Sequence, residues 1–187
     1  IKFMTAQGNA TKYEEAKKEG EELNLINFKL PGGNYLKGVA YLKTGKIDDA
    51  FSNLQEAIVK GPGFPEAHFN YARLLEKLND LKGAKEYNEK ALKINPNYAD
   101  AHNNYACLLV KLDDSNGAKE HYEKALKINP NNAESHSNYA YFLAKINDLN
   151  GAKEHYEKAL KINPNCAEAH NNYGYLLAKL NDPNEAI

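Results

Sequence analysis

The sequence has no tryptophan and one methionine, and Arg73 is its only arginine. Two cysteines are too few for the disulfide framework of a small secreted fold, and Cys107 and Cys166 lack any CxxC spacing that would hold a metal. Such sparing use points to a reducing compartment, the cytoplasm. No apolar run approaches the roughly 18–20 residues that cross a bilayer. The opening stretch IKFMTAQGNATKYEEAKKEG lacks the apolar middle of a signal peptide, so membrane insertion is not expected. Neither sign of charge dominates: 24 basic residues face 25 acidic ones. A near-neutral chain offers no broad field for DNA, RNA or anionic lipid, so no nucleic-acid partner is expected. There is no glycine-rich phosphate loop, no HExxH, and no serine or cysteine nucleophile marked by a motif. The chain reads as non-catalytic, without a cofactor.

What the chain does have is repetition. AKEHYEKALKINPN stands at 118–131 and again, unchanged, at 152–165, with AKEYNEKALKINPN at 84–97. The period of 34 divides the chain into units 31–64, 65–98, 99–132 and 133–166 and a partial unit 167–187. Units 99–132 and 133–166 agree at 24 of 34 positions. A period of about 20–50 residues means a solenoid or array, because one unit cannot bury its apolar face alone.

Each unit holds two helical patterns. In AHNNYACLLVKL, Ala101, Tyr105, Leu108, Leu109 and Leu112 recur at three- and four-residue spacing and form one apolar stripe. The helix should end at Asp113, where other units have Gly45, Asn79 and Asn147, the residue types that best tolerate a left-handed backbone. The next aspartate, Asp80, Asp114, Asp148 or Asp182, is placed to cap the second helix or to complement its dipole. That helix carries Ala118, Tyr122, Ala125, Leu126 and Ile128 on its expected buried face, and Glu120–Lys124 and Glu123–Lys127 as pairs four apart. NPN then stops it, since proline lacks an amide hydrogen and restricts the residue before it.

This pattern resembles the tetratricopeptide repeat. Unit 99–132 supplies His102, Tyr105, Ala106, Leu109, Ala118, Tyr122, Ala125 and Pro130 at the family's signature places. Unit 133–166 supplies His136, Tyr139, Ala140, Leu143, Ala152, Tyr156, Ala159 and Pro164. Unit 65–98 follows with Tyr71, Ala72, Leu75, Ala84, Ala91 and Pro96 but has Asn88 where an aromatic is usual. Unit 31–64 is looser, with Asn34 and Lys37 departing. The resemblance implies an all-α, right-handed superhelical solenoid of helix-turn-helix repeats. Residues 1–30 read as an irregular segment with one degenerate repeat helix, in which Tyr13 and Ala16 keep register. NDPNEAI at the other end reads as the start of a second helix, and the chain as part of a longer one.

His68, His102, His136 and His170 recur every 34 residues. Copies on neighbouring repeats would stand about 10 Å apart, too far to share a zinc with bonds of about 2.0–2.1 Å. They read as packing residues, and His121 and His155 as surface residues; no metal site is expected.

The resemblance implies that the first helix of each unit lines a concave peptide-binding groove. Position six reads Asn70, Asn104, Asn138 and Asn172, an unbroken ladder whose amides offer the donor and acceptor that an extended backbone needs. The ladder is similar to that in the repeats of O-linked N-acetylglucosamine transferase; equally, asparagine is common at this position in the family. Position two is acidic throughout, Glu66, Asp100, Glu134 and Glu168. Position thirteen is lysine, Lys77, Lys111, Lys145 and Lys179. Phe69, Arg73, Tyr141 and Tyr175, at variable positions five and nine, are candidate anchors, since aromatics and arginine dominate hot spots. The acids at position two, with no lysine at position five, argue against the clamp that holds acidic chaperone tails. The expected function is an interaction scaffold or adaptor gripping a segment of another protein. Two alternatives stand beside it: the substrate-selecting arm of a larger enzyme, and a structural subunit packing into a multi-subunit assembly by its convex face or ends.

Overall fold

A computed structural model describes residues 31–180 and, before them, Lys18. The expectations for Tyr13, Ala16, Asp182 and the final segment lie outside the described residues. Among the described residues the chain is all helix: α1 (Pro31–Thr44), α2 (Ile47–Lys60), α3 (Pro65–Lys77), α4 (Leu81–Ile94), α5 (Ala99–Lys111), α6 (Ser115–Ile128), α7 (Ala133–Lys145), α8 (Leu149–Ile162) and α9 (Ala167–Leu180). Helices α1/α2, α3/α4, α5/α6 and α7/α8 pack as pairs, one pair per 34-residue unit. The chain forms two compact units, Ile1–Pro96 and Asn97–Ile187, and the boundary falls inside an NPN stop.

The turn between paired helices follows the sequence closely. Gly45, Asn79, Asp113 and Asn147 all adopt positive φ, between 58° and 78°, in the region where glycine, asparagine and aspartate are least penalised. One residue later Asp80, Asp114 and Asp148 cap α4, α6 and α8, each accepting from the backbone N–H of Gly83, Gly117 or Gly151 at 2.9–3.0 Å. The repeated glycine has a local cause that the sequence reading does not identify. A Cβ on Gly117 or Gly151 would meet the capping carboxylate at 2.7 Å.

The two helices of a repeat are buried differently. The second helix buries a narrow stripe at three places: Ala84, Asn88 and Ala91 in α4, Ala118, Tyr122 and Ala125 in α6, Ala152, Tyr156 and Ala159 in α8. The first helix buries most of its circumference, seven residues in α5 and seven in α7. First helices therefore form the inner layer of each unit and second helices the outer one. Within residues 97–187, successive first helices also touch, α5 against α7 and α7 against α9.

Three sequence expectations are corrected. Ile128 and Leu112 are 37% and 38% exposed. At about 100° per residue Ile128 lies about 80° off the line of Ala118, and Leu112 is the C-cap of α5. Glu123 does not serve as a partner for Lys127; its carboxylate accepts from the Tyr139 hydroxyl of the next repeat at 3.1 Å, as Glu157 accepts from Tyr173 at 2.8 Å. Glu120 does pair with Lys124. The aromatic missing at Asn88 has moved one place: Tyr87 meets Tyr71 edge-on at 4.6 Å, and buried Asn88 donates to the Ala84 carbonyl at 3.0 Å.

The glycine–cap contact predicts a coupling. Asp114→Ala should cost about 1 kcal/mol through the lost cap. In that background Gly117→Ala should recover about 0.5–1 kcal/mol of helix propensity, whereas in the wild type the same change gains nothing because it displaces the cap. Urea unfolding of the four proteins reads the coupling; simple additivity would refute this origin of the glycine.

Candidate binding face

At about 100° per residue, the buried positions of α5, from Ala101 to Leu109, leave one arc uncovered. Asp100, Asn104, Cys107 and Lys111 fall within about 60° of one another on that arc. The same register places Glu134, Asn138, Tyr141 and Lys145 on one face of α7, and Glu168, Asn172, Tyr175 and Lys179 on one face of α9. Position five lies on the flank of this arc, which is why Asn103 and Ser137 are buried.

In the first unit the same face of α3 carries Glu66, Asn70, Arg73 and Lys77. Asn70 is buried. Its Nδ2 donates to the Glu66 carbonyl at 2.9 Å and to the Tyr35 hydroxyl at 3.4 Å. Phe69 is also buried, at 8% exposure, and the Arg73 guanidinium stands 5.6 Å from its ring centre. In the second unit Asn138 Nδ2 donates to Asn103 Oδ1 at 3.4 Å. At both places the position-six amide reaches position five of the preceding repeat, so the ladder links repeats.

The second unit brings seven of the candidate residues together around two adjoining depressions. The larger, about 490 Å³, is lined by Lys111, Asn138, Tyr141, Lys145 and Asn172, with Cys107, Ser137 and Glu168 among the others. The smaller, about 230 Å³, is walled by Tyr141 and Tyr175 and rimmed by Lys145, Lys179 and Asn172, over a floor of Ala144, Leu149, Tyr156 and Leu176. Asn104 lines neither, and Phe69, Asn70 and Arg73 belong to the other unit. Apart from Tyr156, which the sequence marks only as a repeat signature residue, the floor residues escape the sequence reading. Their one legible trace is Leu149, standing where the preceding repeat has Ser115.

The histidines are arranged otherwise than the sequence suggests. His121 and His155 are half-buried, not surface residues, and each meets the repeated histidine of its own repeat: His102 Nδ1 lies 2.8 Å from His121 Nδ1, and His136 Nδ1 lies 2.9 Å from His155 Nδ1. The two members are 19 residues apart, a separation that becomes contact only when the two helices of a repeat fold together. His136 Nε2–H donates to the Pro130 carbonyl at 3.0 Å, so its Nδ1 carries the lone pair and His155 Nδ1–H donates to it. Burial, then the neighbouring histidine, then a lysine (Lys124 or Lys158) push His121 and His155 down to about 4. In the first unit Tyr87 takes the partner's place and stacks on His68.

Models of the tetratricopeptide repeat match residues 41–106, 99–132, 121–154 and 141–181. No curated protein matches the sequence. Among solved structures, TTC0263, a thermophilic repeat protein of Thermus thermophilus, superposes with a TM-score of 0.78 at 20% identity, over 95% of this chain and 97% of that one. PilF of Pseudomonas aeruginosa gives 0.72 at 23% identity, over 90% and 71%. YrrB, a repeat protein with an unusual peptide-binding site, gives 0.66 at 19% identity, over 93% and 90%. At these identities the likenesses establish an all-helical repeat solenoid.

The histidine pairs predict a pH dependence. For His121 and His155 the ordinary value is 6.5 and the folded value about 4. Between the two, the unfolded chain takes up protons that the folded chain does not, so stability is lost as pH falls through that window. The groups facing His121 are His102, Lys124, Glu120 and Asp114; those facing His155 are His136, Lys158, Glu154 and Asp148. Lys124 and Lys158 hold Glu120 and Glu154 below the usual 4.5, so these carboxylates contribute only at more acid pH. In chelator-treated protein the urea midpoint should fall from pH 7 to pH 5, and fall less steeply in His121→Asn/His155→Asn. Equal slopes would refute the assignment.

Proposed function

Because this chain belongs to the tetratricopeptide repeat family, a family of protein-interaction scaffolds, we propose that the face formed by α5, α7 and α9 grips a segment of another protein. The observation that carries this reading is the pair Tyr141 and Tyr175, exposed at 56% and 76%. Tyr105, Tyr122, Tyr139 and Tyr156, by contrast, are all buried in the helix layers. Exposed aromatics beside a depression with an apolar floor are the residues that anchor partners. An apolar side chain of the partner enters the smaller depression between the two tyrosines. Asn138 and Asn172 meet the partner's backbone amides, and Lys111, Lys145 and Lys179 its polar groups. The near-zero net charge favours a protein over a nucleic acid, and the sparing use of cysteine a cytoplasmic setting. The fold neighbour YrrB, with its peptide-binding site, supports the class of ligand.

Tyr141→Ala/Tyr175→Ala tests this, since both side chains are largely exposed and their loss leaves the helix packing intact. Affinity capture from the native source should lose a partner that the wild type retains. The affinity for that partner should fall about thirtyfold or more, as for two hot-spot residues, while helical circular dichroism stays unchanged. Retention of every partner at equal strength would exclude this face as the contact surface.

A further inference from the structure

The two histidine pairs, His102–His121 and His136–His155, lie on the opposite side of the first helix from the binding face, and nothing in the proposed function uses them. Their Nδ1 atoms stand 2.8 and 2.9 Å apart. Two imidazole nitrogens at that separation, each about 2.0–2.1 Å from a common ion, subtend about 90° at it, the angle of adjacent ligands in square-planar or octahedral coordination. His136 is already held as metal-bound histidines usually are, with its other ring N–H on a backbone carbonyl, that of Pro130, at 3.0 Å. Tyr105 and Tyr139 pack in T-shaped contact with the rings of His121 and His155 at 4.6 and 4.7 Å. Glu120 and Asp114 act on His121, and Glu154 and Asp148 on His155, as nearby negative charges, opposed by Lys124 and Lys158.

We propose that each pair binds one divalent transition-metal ion of the imidazole-preferring class, Cu²⁺ or Ni²⁺ above Zn²⁺, through the two Nδ1 atoms. The ion ties the first helix of a repeat to the second. Among the described residues no set of three or more histidine, cysteine or carboxylate side chains is placed to hold an ion, so water completes the coordination. The proton between the rings moves from His155 Nδ1 to His155 Nε2 as the ion enters, a change of tautomer that releases no proton. His136 keeps its Nε2–H on Pro130. Residues 65–98 serve as an internal control, since Tyr87 replaces the second histidine there.

Copper titration of tag-free, chelator-stripped protein, followed by electron paramagnetic resonance near pH 7, tests the proposal. The wild type should bind two equivalents, each with hyperfine coupling to imidazole nitrogens from two rings, and should unfold at a higher temperature with metal than without. His121→Asn and His155→Asn should each lose one equivalent and their combination both; His170→Asn should lose neither. Fewer than two equivalents with two-ring coupling in the wild type would overturn the proposal, and that count needs no variant to fold. So would a folded double variant that binds copper as the wild type does.

Discussion

The fold depends on close approach of helices at alanine. Ala72, Ala84 and Ala91 in one repeat, Ala106, Ala118 and Ala125 in the next, and Ala140, Ala152 and Ala159 in a third are all 0–1% exposed. A residue without side-chain volume beyond Cβ lets two helices pack nearly backbone to backbone, and overpacking such a site costs about 1–3 kcal/mol. The tyrosines then occupy the space between repeats. The Tyr122 ring stacks against that of Tyr139 at 5.3 Å, and the Tyr139 hydroxyl reaches back to Glu123. Burial and the Glu123 charge push that hydroxyl above its ordinary range, so it remains a donor. No single repeat can make these contacts, which is why the unit of stability is the neighbouring pair.

The same constraint decides which face of the first helices stays uncovered. A first helix covered by its own second helix and by neighbouring repeats has one arc left, formed by positions two, six, nine and thirteen. Identical repeats present identical rows, so acid, amide and lysine form a uniform polar ground. Within the second unit position nine breaks that uniformity, with Cys107 against Tyr141 and Tyr175, and on the proposed reading discrimination rests there and on the floor beneath it. The histidine pairs lie on the far side of the same helices. A cross-link there would stiffen each repeat without entering the proposed binding face.

The caps show how far polar detail supports the architecture. Asp114 satisfies the backbone of Gly117, and a Cβ on that glycine would crowd the capping carboxylate at 2.7 Å. Asn138 spans to Asn103 in the preceding repeat. Such bonds add little burial, but they set the register between helices and thus the spacing of the rows on the binding face.

The sequence by itself determined the period, the two helices per unit, their stops and the left-handed turns at Asn79, Asp113 and Asn147. All are local: periodicity, proline and backbone preference act within a few residues. It also placed positions two, six, nine and thirteen as rows. Tertiary structure alone decided what depends on residues far apart in the chain. His121 and His155 read as surface side chains because their partners lie 19 residues away, across a turn. Glu123 reads as a partner for Lys127 because Tyr139 belongs to the next repeat. Leu112 and Ile128 read as core because a stripe on a helical wheel does not show where the covering neighbour ends. Local pattern states which face is apolar; only packing states what lies against it.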